Sequence, residues 1–301
     1  MVTGEGPQGR GRTLALTGGA LLAFAANSVL CRLALGRRSI DPASFATVRL
    51  ASGALMLLAI RAVSRGRSPR VSRAGWMSAV VLFLYAAAFS FAYLSLHVGT
   101  GALILFGSVQ ATMILAALRS GERFRAPEAA GLALALGGLV YLVSPGLAAP
   151  SPVGSALMAA AGVSWGVYSL RGRGSGDPLG DTAASFLRSV PLSAAVSAIA
   201  IGVAHRSAHL SWAGVGLAVA SGALASGVGY VIWYAALRGL SAIRAATVQL
   251  AVPALAAAGG VLFLSERVSV RLVLSAVLIL GGVALAEARR GTPVIATAPV
   301  D

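Results

Sequence analysis

The sequence predicts an all-α integral membrane protein, with ten transmembrane helices set as two inverted five-helix repeats. Three observations carry this. Apolar runs of roughly 18 to 22 residues recur along the chain, the length an α-helix needs to cross the hydrocarbon core. Arginines fall unevenly on the breaks between the runs, and the two halves of the chain resemble each other. Composition agrees: of 301 residues 57% are hydrophobic and 11% charged, with mean hydropathy +0.84, whereas soluble domains are about one quarter charged. About ten helices at ~21 residues each leave little chain for a soluble domain.

The elements follow in order from apolar runs separated by turn and charge signals. Helix 1 spans 13–35 behind a polar tail, 1–12; its run is too long for the core of a cleaved signal peptide, so it is expected to be retained. Helix 2 (43–61) follows GRRSIDP, helix 3 (74–95) follows RGRSPR, and helix 4 (100–118) is cut from helix 5 (127–144) by RSGERFRAP. SPGLAAPSP at 144–152 parts the halves. Helix 6 (152–170) and helix 7 (182–203) flank RGRGSGDP; helices 8 (212–236), 9 (242–264) and 10 (270–287) complete the second half, and 288–301 is a second tail. The repeats are therefore 13–144 and 152–287.

Arginine placement orients the bundle. With the N-terminus in the cytoplasm, inside segments hold fifteen arginines, from Arg10 and Arg12 to Arg289 and Arg290. Outside loops hold five: Arg37, Arg38, Arg206, Arg267 and Arg271. That asymmetry predicts both termini inside and an even number of spans. The net charge of +15 does not point to nucleic acid, because these arginines lie between apolar runs and not on one folded face. The expected partners are a lipid bilayer and a small-molecule substrate. A monomer is expected, with a homodimer as the alternative. The sole cysteine, Cys31, excludes an intrachain disulfide and reads as a small apolar filler.

The halves match at several places: YLSL at 93–96 with YAAL at 234–237, GERF at 121–124 with SERV at 265–268, LALGGLVYLV at 134–143 with LILGGVALAE at 278–287, and ASFATVRL at 43–50 with AASFLRSV at 183–190. Five helices is an odd number, so the second copy must sit upside down relative to the first, as in secondary transporters whose site lies near the midplane between repeats.

Ten spans, this duplication, an arginine entering the second helix of each half, Pro253 ahead of a Ser-Glu-Arg turn, and a closing helix with a Gly-Gly pair together resemble the drug/metabolite transporter superfamily, and within it the EamA-type permeases. The resemblance covers about 13–287. It implies a bacterial inner-membrane exporter of amino acids, other small metabolites or drugs, working around a cavity lined by helices 1, 3, 4, 6, 8 and 9. One departure is that the first half has QATMI at 110–114 where the second has Pro253.

Candidate site residues are polar or aromatic side chains at mid-span depth. Pro253 removes a backbone donor and frees the carbonyl of Gln249, a group that in lipid must face protein or cavity water. Gln110 in helix 4 lies at comparable depth. Asn27 sits mid-way along helix 1. Tyr85 and Phe89 share a face of helix 3 with Tyr93, four residues apart. Trp165 and Tyr168 share a face of helix 6, and Tyr230 and Trp233 lie near the end of helix 8. An aromatic cavity suits apolar or aromatic solutes oriented by a few polar groups. For these aromatics the competing reading is an interfacial belt, which accounts best for Tyr234.

Arg49 and Arg188 lie about six residues into their spans, roughly 9 Å. They read as substrate-carboxylate ligands or as anchors that snorkel to the interface; the shared repeat position favours anchors. Glu122 and Glu266 read as partners of arginine at helix ends. No carboxylate falls mid-span, so proton coupling through a buried Glu is not expected. His205 and His209 have i, i+4 spacing but no third ligand in sequence, so no metal is expected, nor any cofactor. An integral-membrane enzyme would need acid, base or metal groups converging at one face, and the sequence offers none. A carrier of small metabolites is the reading preferred, with a multidrug or other solute permease of the same fold as its alternative.

Overall fold

The structure, a computed structural model, describes residues 7–64, 75–119, 126–144, 149–172, 175–204, 209–237, 240, 248–249 and 251–288. Among these the fold is all helix: α1 (Pro7–Gly36), α2 (Pro42–Val63), α3 (Trp76–Ala92), α4 (Val98–Arg119), α5 (Ala126–Val143), α6 (Pro152–Gly172), α7 (Pro178–Ala204), α8 (Trp212–Leu237), α9 (Ala251–Leu264) and α10 (Val270–Ala288). Six helices (α1, α2, α4, α6, α7 and α8) are long and apolar enough to cross a membrane; the apolar stretches of α3, α5, α9 and α10 are shorter. Large apolar side chains such as Trp212, Leu262 and Val270 stand exposed on the outside of the bundle, where only lipid would remove them from water.

Helix starts are built from short caps. The Asp41 carboxylate accepts from the Ser44 N–H at 2.9 Å and the Asp177 carboxylate from the Gly180 N–H at 2.9 Å, each with proline as the next residue. The proline sets φ for the first turn and has no N–H to waste there. Ser211 caps α8 through the Gly214 N–H at 3.1 Å. The Asp177 cap starts α7 at Pro178 and not at 182 as expected. At the other end of α3, the chain turns at Tyr93–Ser95, so that helix stops short of the expected 95. The described part of α9 opens at Ala251, which places buried Pro253 in its first turn. Residues 248–249 are helical too, while 241–247 and 250 lie outside the described residues.

The most extensive contacts between helices repeat when the halves are exchanged. α3 packs on α6 as α8 does on α1, α4 on α6 as α9 on α1, and α3 on α7 as α8 on α2; the pairs α2–α7, α4–α9 and α5–α10 map onto themselves. Loops confirm that successive helices alternate in direction. At one end Ile40 pairs with Leu210, Arg32 with Glu266, and Arg271 donates to the Ser144 carbonyl. At the other, Arg61 meets Asp177 at 3.1 Å and Arg171 donates to Ser78 at 3.3 Å.

Small residues bring helices close. A side chain on Gly282 would strike the Gly131 carbonyl and Ala135 of α5, whereas one on Gly281 would meet open space. Of this closing pair, Gly282 alone serves packing. A Cβ on Gly222 would overlap the Arg49 carbonyl and the Ser52 hydroxyl of α2. Gly222 lies in a π-helical stretch of α8, Ala220–Val228, a wider turn of the kind found at functional sites.

Candidate functional site

The tightest approach of α2 to α8 fixes the site. With Gly222 against its backbone, Arg49 cannot swing outward. Its side chain is 1% exposed, the largest fully buried side chain of the described residues. The expected snorkel to the interface does not occur: six residues along α2 is near an edge in the sequence, but α7, α8 and α3 close over that face of the helix. Arg188, its twin, is half-buried, so the two arginines do not share an environment.

Arg49 Nη2 donates to the Tyr85 hydroxyl at 3.1 Å, and the guanidinium stands 5.1 Å from the Tyr85 ring centre and 4.9 Å from that of Phe89. Its Nε and Nη1 have no hydrogen-bond partner. Cation–π contacts contribute up to about 2 kcal/mol when desolvated, while burying an ion costs several kcal/mol. Among the described residues, carboxylates pair away from Arg49: Glu266 with Arg32 and His97, Asp177 with Arg61, Asp41 at its cap, and Asp181 with the Ser175 hydroxyl.

Around Arg49 the aromatic side chains converge. Trp165 lies 5.0 Å from Tyr85, stacks on Tyr168 at 5.6 Å and on Tyr230 at 5.3 Å. Phe89 is 5.6 Å from Tyr85. Phe24 bridges Tyr230 at 5.9 Å and Trp233 at 5.8 Å, and Phe186 meets Tyr230 at 6.0 Å. Asn27 Nδ2 donates to the Tyr85 hydroxyl at 3.5 Å, and the Ser221 hydroxyl, on the π-helical stretch, donates to Asn27 Oδ1. Six helices thus meet at one cluster: α1, α2, α3, α6, α7 and α8. Of the sequence candidates, Asn27, Tyr85, Phe89, Trp165, Tyr168, Tyr230 and Trp233 belong to it, together with Arg49.

Gln110 is buried on α4, a helix that contributes no side chain to this cluster among the described hydrogen bonds and ring contacts. Gln249 is half-buried ahead of α9 and holds a partner of its own. Glu122 lies outside the described residues. Phe24, Phe186 and Ser221 were not among the candidates. Phe24 could have been found, one turn before Asn27; Ser221 could not, because its reach depends on the π-helical turn.

One end of the bundle is closed over this cluster. The Glu266 carboxylate accepts from the Val98 N–H at 2.8 Å, lies 3.5 Å from Arg32 Nε and 3.4 Å from His97 Nδ1; Arg32 also donates to the Tyr93 carbonyl at 2.9 Å. These bonds tie α1, the α3–α4 loop and the α9–α10 loop together. A cavity of about 270 Å³ lies at this end, lined by His97, Thr100, Glu266, Arg267 and Arg271 among others, outside the seal. Among the described residues no three His, Cys, Asp or Glu gather as for a metal.

The profile of the EamA-like transporter family matches residues 12–144 and 152–287, one copy in each half. The chain belongs to the EamA-like transporter family. A relative from Pseudomonas aeruginosa, uncharacterized protein PA1977, is 50% identical over 279 residues, covering 93% of this chain and 96% of that one. A solved crystal structure aligns with TM-score 0.61 over 89% of this chain and 98% of its own, at 22% identity, a likeness of fold alone. As an EamA-like transporter the chain is a multi-pass membrane protein of the drug/metabolite transporter type, a family whose members are generally not enzymes.

Proposed function

We propose that this EamA-like transporter is a secondary carrier of the bacterial inner membrane, with ten spans and both termini cytoplasmic, that exports small organic metabolites, amino acids among them, by alternating access. The observation that carries this reading is the exchange symmetry of the helix contacts around one cluster. Two inverted halves that pack alike can rock into mirror-related states about a fixed midplane site. Supporting it, the cluster is sealed by Glu266 at the end assigned outside. Its half-buried members Trp165 and Trp233 lie on the stretches of α6 and α8 nearer the other end. The chain acts as a monomer in this reading, since one copy holds both halves and the whole cluster.

Counterflow in proteoliposomes tests it. Vesicles preloaded with unlabelled solute should accumulate the labelled form, and Trp165→Ala together with Asn27→Leu should abolish the accumulation. No exchange of any metabolite from a panel of amino acids and small acids would overturn the reading.

A further inference from the structure

The Arg49 site has a net charge. We propose that the central site selects organic anions: a carboxylate held by Arg49, with an apolar or aromatic body among Tyr85, Trp165 and Tyr230, in preference to the amino-acid zwitterion of the same body. The inference rests on reading this cluster as the substrate site and narrows the class of solute it takes.

Arg49 Nε and Nη1 are buried without a hydrogen-bond partner, while Nη2 is occupied by Tyr85. An Nε–Nη edge of a guanidinium is the geometry that grips a carboxylate through two parallel bonds. Among the described residues Glu266 is engaged with Arg32, Asp177 with Arg61, Asp41 with the Ser44 N–H and Asp181 with the Ser175 hydroxyl. The ring walls offer π faces and the hydroxyl of Tyr85. The Asn27 carbonyl oxygen is taken by Ser221. The ammonium of a zwitterion would lie beside a like charge, with no carboxylate of the described residues in contact with the Arg49 side chain, which low-dielectric surroundings make unfavourable. A plain aromatic acid satisfies the guanidinium and the rings together. The rings touch one another in this conformation, so the ligand body replaces ring–ring contacts with its own.

The test is calorimetric titration of the full-length protein in lipid nanodiscs, with no gradient, using four probes that share one body: 3-phenylpropanoate, 3-phenylpropanamide, L-phenylalanine and phenethylamine. The acid anion should bind about tenfold or more tighter than its amide, phenylalanine should fall between or below them, and the amine should bind least. Arg49→Gln should bring acid and amide to equal affinity, with retained amide binding showing that it folds; Arg49→Lys should keep the preference for the acid. Equal affinity of acid and amide in the wild type, a preference that survives Arg49→Gln, or no binding by any of the four would each overturn the proposal. If the ranking holds while counterflow fails, transport falls and the site stands; if counterflow succeeds with a flat ranking, the charge selectivity falls alone.

Discussion

Tyr85 joins the polar and apolar parts of the site. Its hydroxyl accepts from Arg49 at 3.1 Å and Asn27 at 3.5 Å, and its ring lies between Trp165 and Phe89. Tyr85→Phe keeps the ring and deletes the oxygen, leaving the buried guanidinium without any hydrogen bond. A hydrogen bond to a charged group is worth about 1.5–3 kcal/mol, so the variant should unfold at a visibly lower temperature than wild type in the same detergent. An unchanged midpoint would mean that Arg49 is held by the rings alone. The aromatic members on α3 and α6 were legible in sequence because their spacing placed them on single faces, whereas Tyr230 and Trp233 stood out only as aromatics near the end of α8. The depth of Arg49 was not. Distance along a helix measures distance from the interface only when the helix faces lipid, and α2 is covered around Arg49. Ser221 was illegible for a different reason, since an ordinary helix would not aim it at Asn27.

Among the helices, the contact of α8 with α2 controls the site. Gly222→Ala would press a methyl into the Arg49 carbonyl and the Ser52 hydroxyl, both of which are fixed within α2. The helices must part, at a cost on the order of 1–3 kcal/mol, and Arg49 moves with them, so counterflow should drop sharply along with the thermal midpoint. Gly281→Ala is the matched control: a Cβ there meets nothing within 4 Å, and stability should stay within about 0.5 kcal/mol of wild type. Equal behaviour of the two variants would remove the α2–α8 contact from the account. The Asp-Pro caps of α2 and α7 fall in breaks that the sequence marked, but they were read there as turns, and the start of α7 was placed at 182 instead of Pro178. The π-helical stretch was not legible, because no local residue pattern distinguishes Ala220–Val228 from an ordinary apolar helix.

The whole molecule can work as a carrier only if the two ends open in turn, and at the end closed by Glu266 one substitution cuts several bonds at once. Glu266 holds the start of α4 through the Val98 N–H and the end of α1 through Arg32. Beside Arg32 lies Cys31, the sole cysteine, fully buried and therefore a native reporter of opening. Glu266→Gln keeps the shape and removes the charge. If that weakens the closed state by about 1.4 kcal/mol, the open population rises about tenfold. A membrane-impermeant maleimide applied from the side of the α9–α10 loop should then label Cys31 about ten times faster than in wild type. Arg61→Gln breaks the pair with Asp177 at the opposite end and should leave labelling from that side no faster than before. Equal labelling of wild type and Glu266→Gln would show that the closure rests on the apolar packing of α1 against α9 and not on the Glu266 bonds. The same reagent applied from either side assigns the α9–α10 loop to one face of the membrane. It therefore checks the arginine-based orientation, which places that loop outside, in the experiment that tests the seal.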